Sequence, residues 1–215
     1  MNDVGTGRRN RAKHYNTPGH VHFLTFSTYQ RLPLLTNDLW RTLLARHVRD
    51  TCDEQAFALW AYVFMPEHVH LLVKPSHEVY DISRFYGKIK KSFTDDIVPI
   101  LERSDSPLAE RLWVRERPGK WCYRVWQEGG GYDLNITSLE VAEGKAKYCH
   151  NNAVTRGLVK MPGDWRWSSF RWLILGEREG APLRVNEWSG WELLGTDDSL
   201  DKRLPFCKVV GNEKA

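Results

Sequence analysis

Two apolar runs separated by only three residues most restrict how this chain can fold. Residues 56–64 (AFALWAYVF) and 68–74 (HVHLLVK) flank the tripeptide Met65-Pro66-Glu67. Each run has the length and the aromatic and β-branched content of a buried strand, and a proline in so short a connection favours a tight turn. The sequence therefore predicts two antiparallel strands that are neighbours in one sheet.

The second of these strands begins with histidines at alternate positions, His68 and His70. Alternate side chains of a strand share one face, so two imidazoles are expected side by side, as in half of a metal site. The plainer interpretation is a pair of packed histidines without a metal. Because His20 and His22 repeat the same pattern in this chain, the motif alone does not decide between the two.

Four further patterns predict the first part of the fold. Alternation predicts a strand at 20–28, and apolar stripes at helical spacing predict helices at 36–55, with Asn37 as N-cap, and at 81–97. Residues 103–120 are charged and rich in proline and glycine, which predicts an exposed loop.

The remaining patterns predict two more strands, at 121–127 and 132–136, and a last helix at 137–154. Thr137 and Glu140 would form a capping box for this helix, and Gly157 would end it in a left-handed conformation. Strands and helices then alternate in an order that favours an α+β fold, a ferredoxin-like antiparallel sheet with helices on its faces.

Length and charge suggest one core and a phosphate-rich partner. We expect a flexible basic arm at 1–17, one domain at 18–175, and a C-terminal tail at 176–215 that packs on the domain or extends from it. The net charge is only +4, but basic residues cluster, which favours nucleic acid, although lysines also solvate helix faces. These residues are Arg8, Arg9, Arg11 and Lys13 in the arm, and Lys88, Lys90 and Lys91 in the second helix.

The cysteines and the apolar segments favour a cytoplasmic protein. The four cysteines are scattered without metal-ligand or disulfide spacing. The sequence has no apolar stretch of the roughly 18 residues that cross a bilayer, and its N-terminus lacks the apolar core of a signal peptide. We therefore expect no membrane partner.

Three side chains of the last predicted helix are candidates for a catalytic role. Lys145, Tyr148 and Asn152 are spaced by three and four residues, so they share one helix face. A nearby cation or metal favours the phenolate of a tyrosine, which can attack a phosphodiester, and the amide could join two histidines on a metal. The plainer interpretation is that Tyr148 packs on the sheet and Asn152 caps the helix end.

Five segments resemble, in the same order, the REP-associated tyrosine transposases, which are single-tyrosine HUH endonucleases. The similarity spans roughly residues 18–172, and the segments are 65–73 (MPEHVHLLV), 83–94 (SRFYGKIKKSFT), 125–127 (VWQ), 147–159 (KYCHNNAVTRGLV) and 164–170 (DWRWSSF). The resemblance implies the HUH endonuclease fold. It also implies Tyr148 as the catalytic nucleophile and His68, His70 and Asn152 as ligands of a divalent metal, magnesium or manganese.

The resemblance further implies that DNA is bound by Arg84, Lys88, Lys90, Lys91 and the basic arm. It also implies an enzymatic activity. That activity is metal-dependent cutting and rejoining of single-stranded DNA near REP-like hairpins through a 5′-phosphotyrosine, by a monomer or homodimer without a nucleotide cofactor. The protein would associate with the nucleoid when bound to DNA. The alternatives are an inactive or domesticated hairpin-binding protein and a nickase like a relaxase or replication initiator.

The chain also departs from the pattern of these transposases. Ala153 follows Asn152 where the family usually has proline, and the glycine-rich residues 128–134 lack a histidine that the family commonly has. Six tryptophans allow either core packing or base stacking. They are Trp113, Trp121, Trp126, Trp165, Trp167 and Trp172.

Overall fold

A computed structural model describes residues 14–129 and 131–186. Six strands and five α-helices are assigned in this part of the chain. The strands are β1 Val21–Ser27, β2 Phe57–Phe64, β3 His68–Pro75, β4 Trp113–Arg117, β5 Lys120–Tyr123 and β6 Tyr132–Ile136. The helices are α1 Asp38–Gln55, α2 Ile82–Glu102, α3 Pro107–Leu112, α4 Leu139–Thr155 and α5 Phe170–Leu173.

The main sheet has four antiparallel strands in the order β2-β3-β1-β6. The tight turn between β2 and β3 makes them neighbours, as predicted from the two apolar runs. With α1 between β1 and β2, and α2 between β3 and the last strand, the chain forms an α+β fold with a ferredoxin-like antiparallel sheet. The predicted fold class is therefore confirmed.

The two faces of this sheet carry different side chains, because successive residues of a strand alternate. On one face Leu24, Phe26 and Leu71 join the main hydrophobic core with α1 and α2. On the other face Phe23 and His70 lie against α4, where both rings contact that of Tyr148. The chemistry-bearing strand residues therefore face α4, and the larger core lies behind them.

Helix ends follow local side-chain chemistry, with one correction. Asn37 caps α1 as predicted, since its side chain accepts hydrogen bonds from the Leu39 and Trp40 amides. The predicted cap of α4 is wrong by one residue, because Ser138 and not Thr137 accepts the bond from the helix amide. Gly157 follows α4 with φ +68°, the predicted left-handed conformation.

Residues 103–120 are largely exposed, as predicted, but the prediction that they form a loop is wrong. Ser106 caps the short helix α3, whose Leu112 is fully buried in the main core. The chain then forms the two-stranded ribbon β4-β5, which turns at Gly119 with φ +76°. The predicted strand at 121–127 accordingly shortens to β5, and the predicted helix at 81–97 lengthens to α2 because Leu101 continues its buried stripe.

Both ends of the described chain contact the domain. Asn16 accepts a hydrogen bond from the amide of Ile82, within the segment expected as an arm. Leu183 and Val185, beyond the expected boundary at 175, are buried in the main core. The arm residues Arg8, Arg9, Arg11 and Lys13, and residues 187–215 of the tail, lie outside the described residues. Among residues 14–129 and 131–186, every helix is too short or too polar to cross a membrane.

Candidate active site

His68 and His70 lie side by side at the start of β3. Their ring centroids are 4.7 Å apart, and the two residues are only 5% and 4% exposed. The alternation of side chains along β3 places both rings on the face that α4 covers. Two nearly buried imidazoles therefore share one small space between the sheet and the last long helix.

Hydrogen bonds fix the tautomer of His70. Its Nε2 lies 3.3 Å from the Asn152 amide nitrogen, which can only donate, so Nε2 is the acceptor. Nδ1 must then carry the proton and donates it to the Thr25 hydroxyl oxygen at 2.7 Å. His70 thus presents an Nε2 lone pair towards α4, the form in which histidine binds metals.

Glu67 orients His68 in the same way. Its Oε1 accepts from Nδ1 of His68 at 3.1 Å, so Nε2 of His68 is left with its lone pair. Arg156, at the end of α4, donates to the same carboxylate at 2.7 Å. Burial favours an uncharged Glu67, but His68 and Arg156 outweigh it and lower the pKa of this carboxyl. Glu67 thus links His68 to the end of α4 through its contacts with both His68 and Arg156.

Both histidines favour the neutral form. Burial lowers the pKa of His70 to about 3, and the neighbouring His68 and Lys145 act in the same direction. Burial also lowers the pKa of His68, although Glu67 opposes it. A neutral imidazole can donate its lone pair to a metal, whereas a protonated one cannot.

The three side chains of α4 meet the histidines as their spacing suggests. The Tyr148 ring lies 5.2 Å from the His70 ring and is half exposed. The Lys145 ammonium lies 5.9 Å from the Tyr148 ring and 5.1 Å from that of Phe23. A phenol open to solvent, a cation and a buried imidazole therefore surround one point on the protein surface.

The buried amide of Asn152 supplies the test of whether a cation fits here. Its Oδ1 is buried and has no hydrogen-bond partner among the described residues. Within residues 14–129 and 131–186, no three His, Cys, Asp or Glu side chains are grouped to hold a metal, so a third protein ligand beside His68 and His70 has to be of another type. An unpaired oxygen on the amide that contacts His70, with the His68 ring 4.7 Å from that of His70, fits a divalent cation.

The predicted DNA-binding residues of α2 lie on the opposite side of the sheet and are not one patch. Lys88 pairs with Glu54 of α1. Lys90 lies against the rings of Phe26 and Tyr86, where burial lowers its pKa to about 8. Together with the exposed Lys91, it lines a groove of about 460 Å³. The other groove residues include Tyr86, Trp126 and Gln127; Arg84 is exposed outside it.

Sequence patterns missed the residues that orient the histidines. Thr25 reaches His70 only because β1 pairs with β3 in one register. Gly131, with φ +70°, passes so close to β1 that a Cβ there would clash with the Thr25 carbonyl oxygen. His22 is buried elsewhere, bonded to Asp133 and Tyr80, in line with its omission from the predicted site.

Comparisons with known proteins agree with the resemblance found in the sequence. The family model described as "Transposase IS200 like" matches residues 16–116. A Haemophilus influenzae protein assigned to the REP-associated tyrosine transposases is 22% identical over 174 residues, which are 81% of this chain and 90% of that protein.

One solved structure shares the fold. It is a REP-associated tyrosine transposase bound to a REP hairpin, 21% identical, and the match covers 83% of this chain and 94% of that one with a TM-score of 0.61. The three comparisons together confirm the predicted resemblance. This chain therefore resembles these transposases in sequence and in fold.

Proposed function

We propose that the resemblance to the REP-associated tyrosine transposases extends to chemistry, and that this chain cuts and rejoins single-stranded DNA beside a hairpin. The proposal depends chiefly on one observation: the half-exposed ring of Tyr148 lies 5.2 Å from His70, beside a buried and unpaired Asn152 oxygen. A core packing role explains neither the exposure of the phenol nor the unpaired oxygen.

His68, His70 and Asn152 would hold a divalent cation, magnesium or manganese. When bound, such a cation supplies Lewis-acid polarisation of the scissile phosphate. Thr25 and Glu67 keep the two imidazoles in the tautomers whose lone pairs are on Nε2, and a cation would take the place of the Asn152 N–H at Nε2 of His70. The chain contributes neutral, oriented ligands that are themselves largely buried.

Tyr148 is the proposed nucleophile. Its phenolic oxygen forms a bond to phosphorus and loses its proton to solvent, while the bond from phosphorus to the 3′-oxygen breaks. The products are a 5′-phosphotyrosine and a 3′-hydroxyl, which takes up a proton. Rejoining reverses the step with another 3′-hydroxyl and needs no ATP, since the phosphotyrosine keeps the energy of the phosphodiester. Lys145 stabilises the negative charge that develops on the oxygens.

One chain supplies every residue of this site, so a monomer suffices for cutting. Tyr148 and Asn152 lie on the helix that packs over the histidines of the same chain. The exposed basic residues Arg84 and Lys91, and the basic arm, would neutralise DNA phosphates away from the reacting centre.

The test is a covalent adduct. Labelled single-stranded DNA carrying hairpins from the source genome is incubated with the protein in manganese or in a chelator, then run on a denaturing gel. We expect an adduct with wild type in manganese, none with Tyr148→Phe, and an unchanged yield with Tyr132→Phe, a matched exposed tyrosine of β6.

Hairpin binding without any adduct, across several metals and substrates, would contradict the proposal. That outcome would favour a protein that binds DNA hairpins but does not cut them. An adduct that persists in Tyr148→Phe would assign the nucleophile to another residue.

A further inference from the structure

The ribbon β4-β5 exposes aromatic side chains outside the main sheet. Trp113 is the partner of Tyr123, and Arg115 that of Trp121, so the four side chains share one face, hereafter the ribbon face. Trp113 and Trp121 are 45% and 51% exposed. Their rings are nearly parallel, at 12°, with centroids 6.4 Å apart.

Stability of the ribbon accounts for only part of this arrangement. An isolated two-stranded ribbon is marginally stable, and aromatic pairs across the strands strengthen it. Tyr123 does this, because its ring lies 4.8 Å from that of Trp113 and packs against the main core. Half of each indole nevertheless remains in water, although smaller β-branched residues would strengthen the ribbon with less exposed apolar surface.

The charge of the ribbon matches a polyanion. Arg115, on the ribbon face itself, forms no ion pair with any residue in the described ranges. Arg117 and Lys120 flank the turn, and Glu116 pairs with Lys120. Exposed rings beside free cations bind single-stranded nucleic acid, because bases stack on the rings while arginines neutralise phosphates.

The chain after the ribbon joins the main sheet at the end of β1, one strand away from His68. The amide of Tyr29 donates to the carbonyl of Val125 at 2.8 Å, and the amide of Gln127 donates to that of Ser27 at 2.9 Å. Ser27 is the direct strand partner of His68. Since Trp121 is four residues before Val125, the two Cα atoms lie within about 13 Å, a span of a few nucleotides.

We propose that the ribbon face binds unpaired nucleotides next to the DNA hairpin by stacking their bases on Trp113 and Trp121. Arg115 neutralises an adjoining phosphate. The proposal rests on the proposed function, since it extends the single strand whose phosphate lies at His68. Of the six tryptophans for which the sequence allows either core packing or base stacking, the proposal assigns base stacking to Trp113 and Trp121.

The test separates base stacking from charge. Affinities are measured for a DNA hairpin with an oligothymidine tail and for the same hairpin with an abasic tail, which keeps the phosphates but lacks bases. We expect Trp121→Ala to weaken binding of the thymidine tail by about 5- to 150-fold and binding of the abasic tail much less.

Matched variants complete the design. Trp121→Phe keeps a ring and should recover most of the affinity. Val79→Ala, at an exposed position beyond the other end of β3, should bind like wild type. Arg115→Gln removes charge from an exposed side chain and should weaken binding of both tails. It still tests the ribbon face if Trp121→Ala does not fold.

Equal losses for the two tails in Trp121→Ala, or no loss for either, would overturn the ribbon proposal. A wild-type dimer that Trp121→Ala converts to a monomer in ultracentrifugation would also overturn it, because a second copy would then cover the ribbon face. Adduct formation is scored separately on the same DNA. If wild type forms an adduct but the ribbon variants bind both tails like wild type, only the ribbon proposal is rejected. If the ribbon variants bind the thymidine tail more weakly but wild type forms no adduct, only the proposed cutting activity is rejected.

Discussion

The Asn152 amide nitrogen lies 3.3 Å from Nε2 of His70, whereas the oxygen of the same amide is buried without a hydrogen-bond partner in the described part of the chain. Such an unpaired group destabilises a fold by about 1–3 kcal/mol. A bound cation would satisfy the oxygen and would replace the amide N–H at the imidazole lone pair. This relationship makes Asn152 the sharpest test of the proposed metal site.

We expect Asn152→Leu to separate stability from metal binding. Without metal, its free energy of unfolding should stay close to that of wild type, because removal of the unpaired oxygen offsets loss of the hydrogen bond to Nε2 of His70. We expect manganese to raise the melting temperature of wild type, since binding to the folded state stabilises it, and we expect no such rise in the variant. Asn151→Ala should keep that rise. A variant that is destabilised yet still responds fully to manganese would make Asn152 structural.

Thr25→Val should weaken metal binding while it leaves the ligands in place. The change keeps the shape of the side chain but removes the hydroxyl that holds Nδ1–H of His70. Loss of such an orienting partner typically lowers metal affinity by about 10- to 100-fold. Manganese titration followed by electron paramagnetic resonance measures it. Thr42→Val, which removes a hydroxyl bonded to a helix carbonyl of α1, is the control and should change nothing.

Acid should destabilise the metal-free protein through its buried histidines. Burial lowers the pKa of His150, like that of His70, to about 3, below the ordinary 6.5. The unfolded chain therefore binds protons first, and the stability present above pH 6.5 is lost as the pH falls towards 3. Each such histidine contributes up to about 1.4 kcal/mol per pH unit in this window.

His150→Gln should therefore reduce the slope of unfolding free energy against pH, measured by denaturant titration in a chelator between pH 7 and pH 4.5. The replacement amide can still bond to the Ser169 hydroxyl, which Nε2 of His150 contacts at 2.9 Å. His77→Gln, at an exposed position, should leave the slope unchanged. An identical slope in His150→Gln would show that this histidine titrates alike in both states.

Two lysines of α2 should differ in their effect on DNA binding. Lys91 lines the groove beside Trp126 and pairs with Asp95 of its own helix, whereas Lys88 pairs with Glu54 of α1. We expect Lys91→Gln to lower the slope of log affinity against log salt by about one, as for the loss of one phosphate contact. Lys88→Gln should leave it unchanged. Equal effects of both variants would mean that DNA runs along the helix and not in the groove.

Local patterns determined much of this protein. The period of two along β3 sets the two histidines side by side, and the spacing of three and four on α4 sets Lys145, Tyr148 and Asn152 on one face. Hydrophobic periodicity also predicted the β2-β3 neighbours and the ferredoxin-like order. The placements on β3 and α4 follow from the sequence because each depends on residues a few positions apart within one element, and the pairing of β2 with β3 follows because only three residues separate the two strands.

Tertiary structure decided which faces meet. That α4 covers the histidine face, that Thr25 lies opposite His70, and that the α2 lysines lie behind the sheet all depend on contacts between distant segments. The ribbon at 113–123 was missed for a related reason. Its strands are short and charged and have no clear apolar alternation. They are stabilised by pairing across the turn and by burial of Leu112. Periodicity identifies the apolar face of an element, but only packing in three dimensions selects the partner of that face.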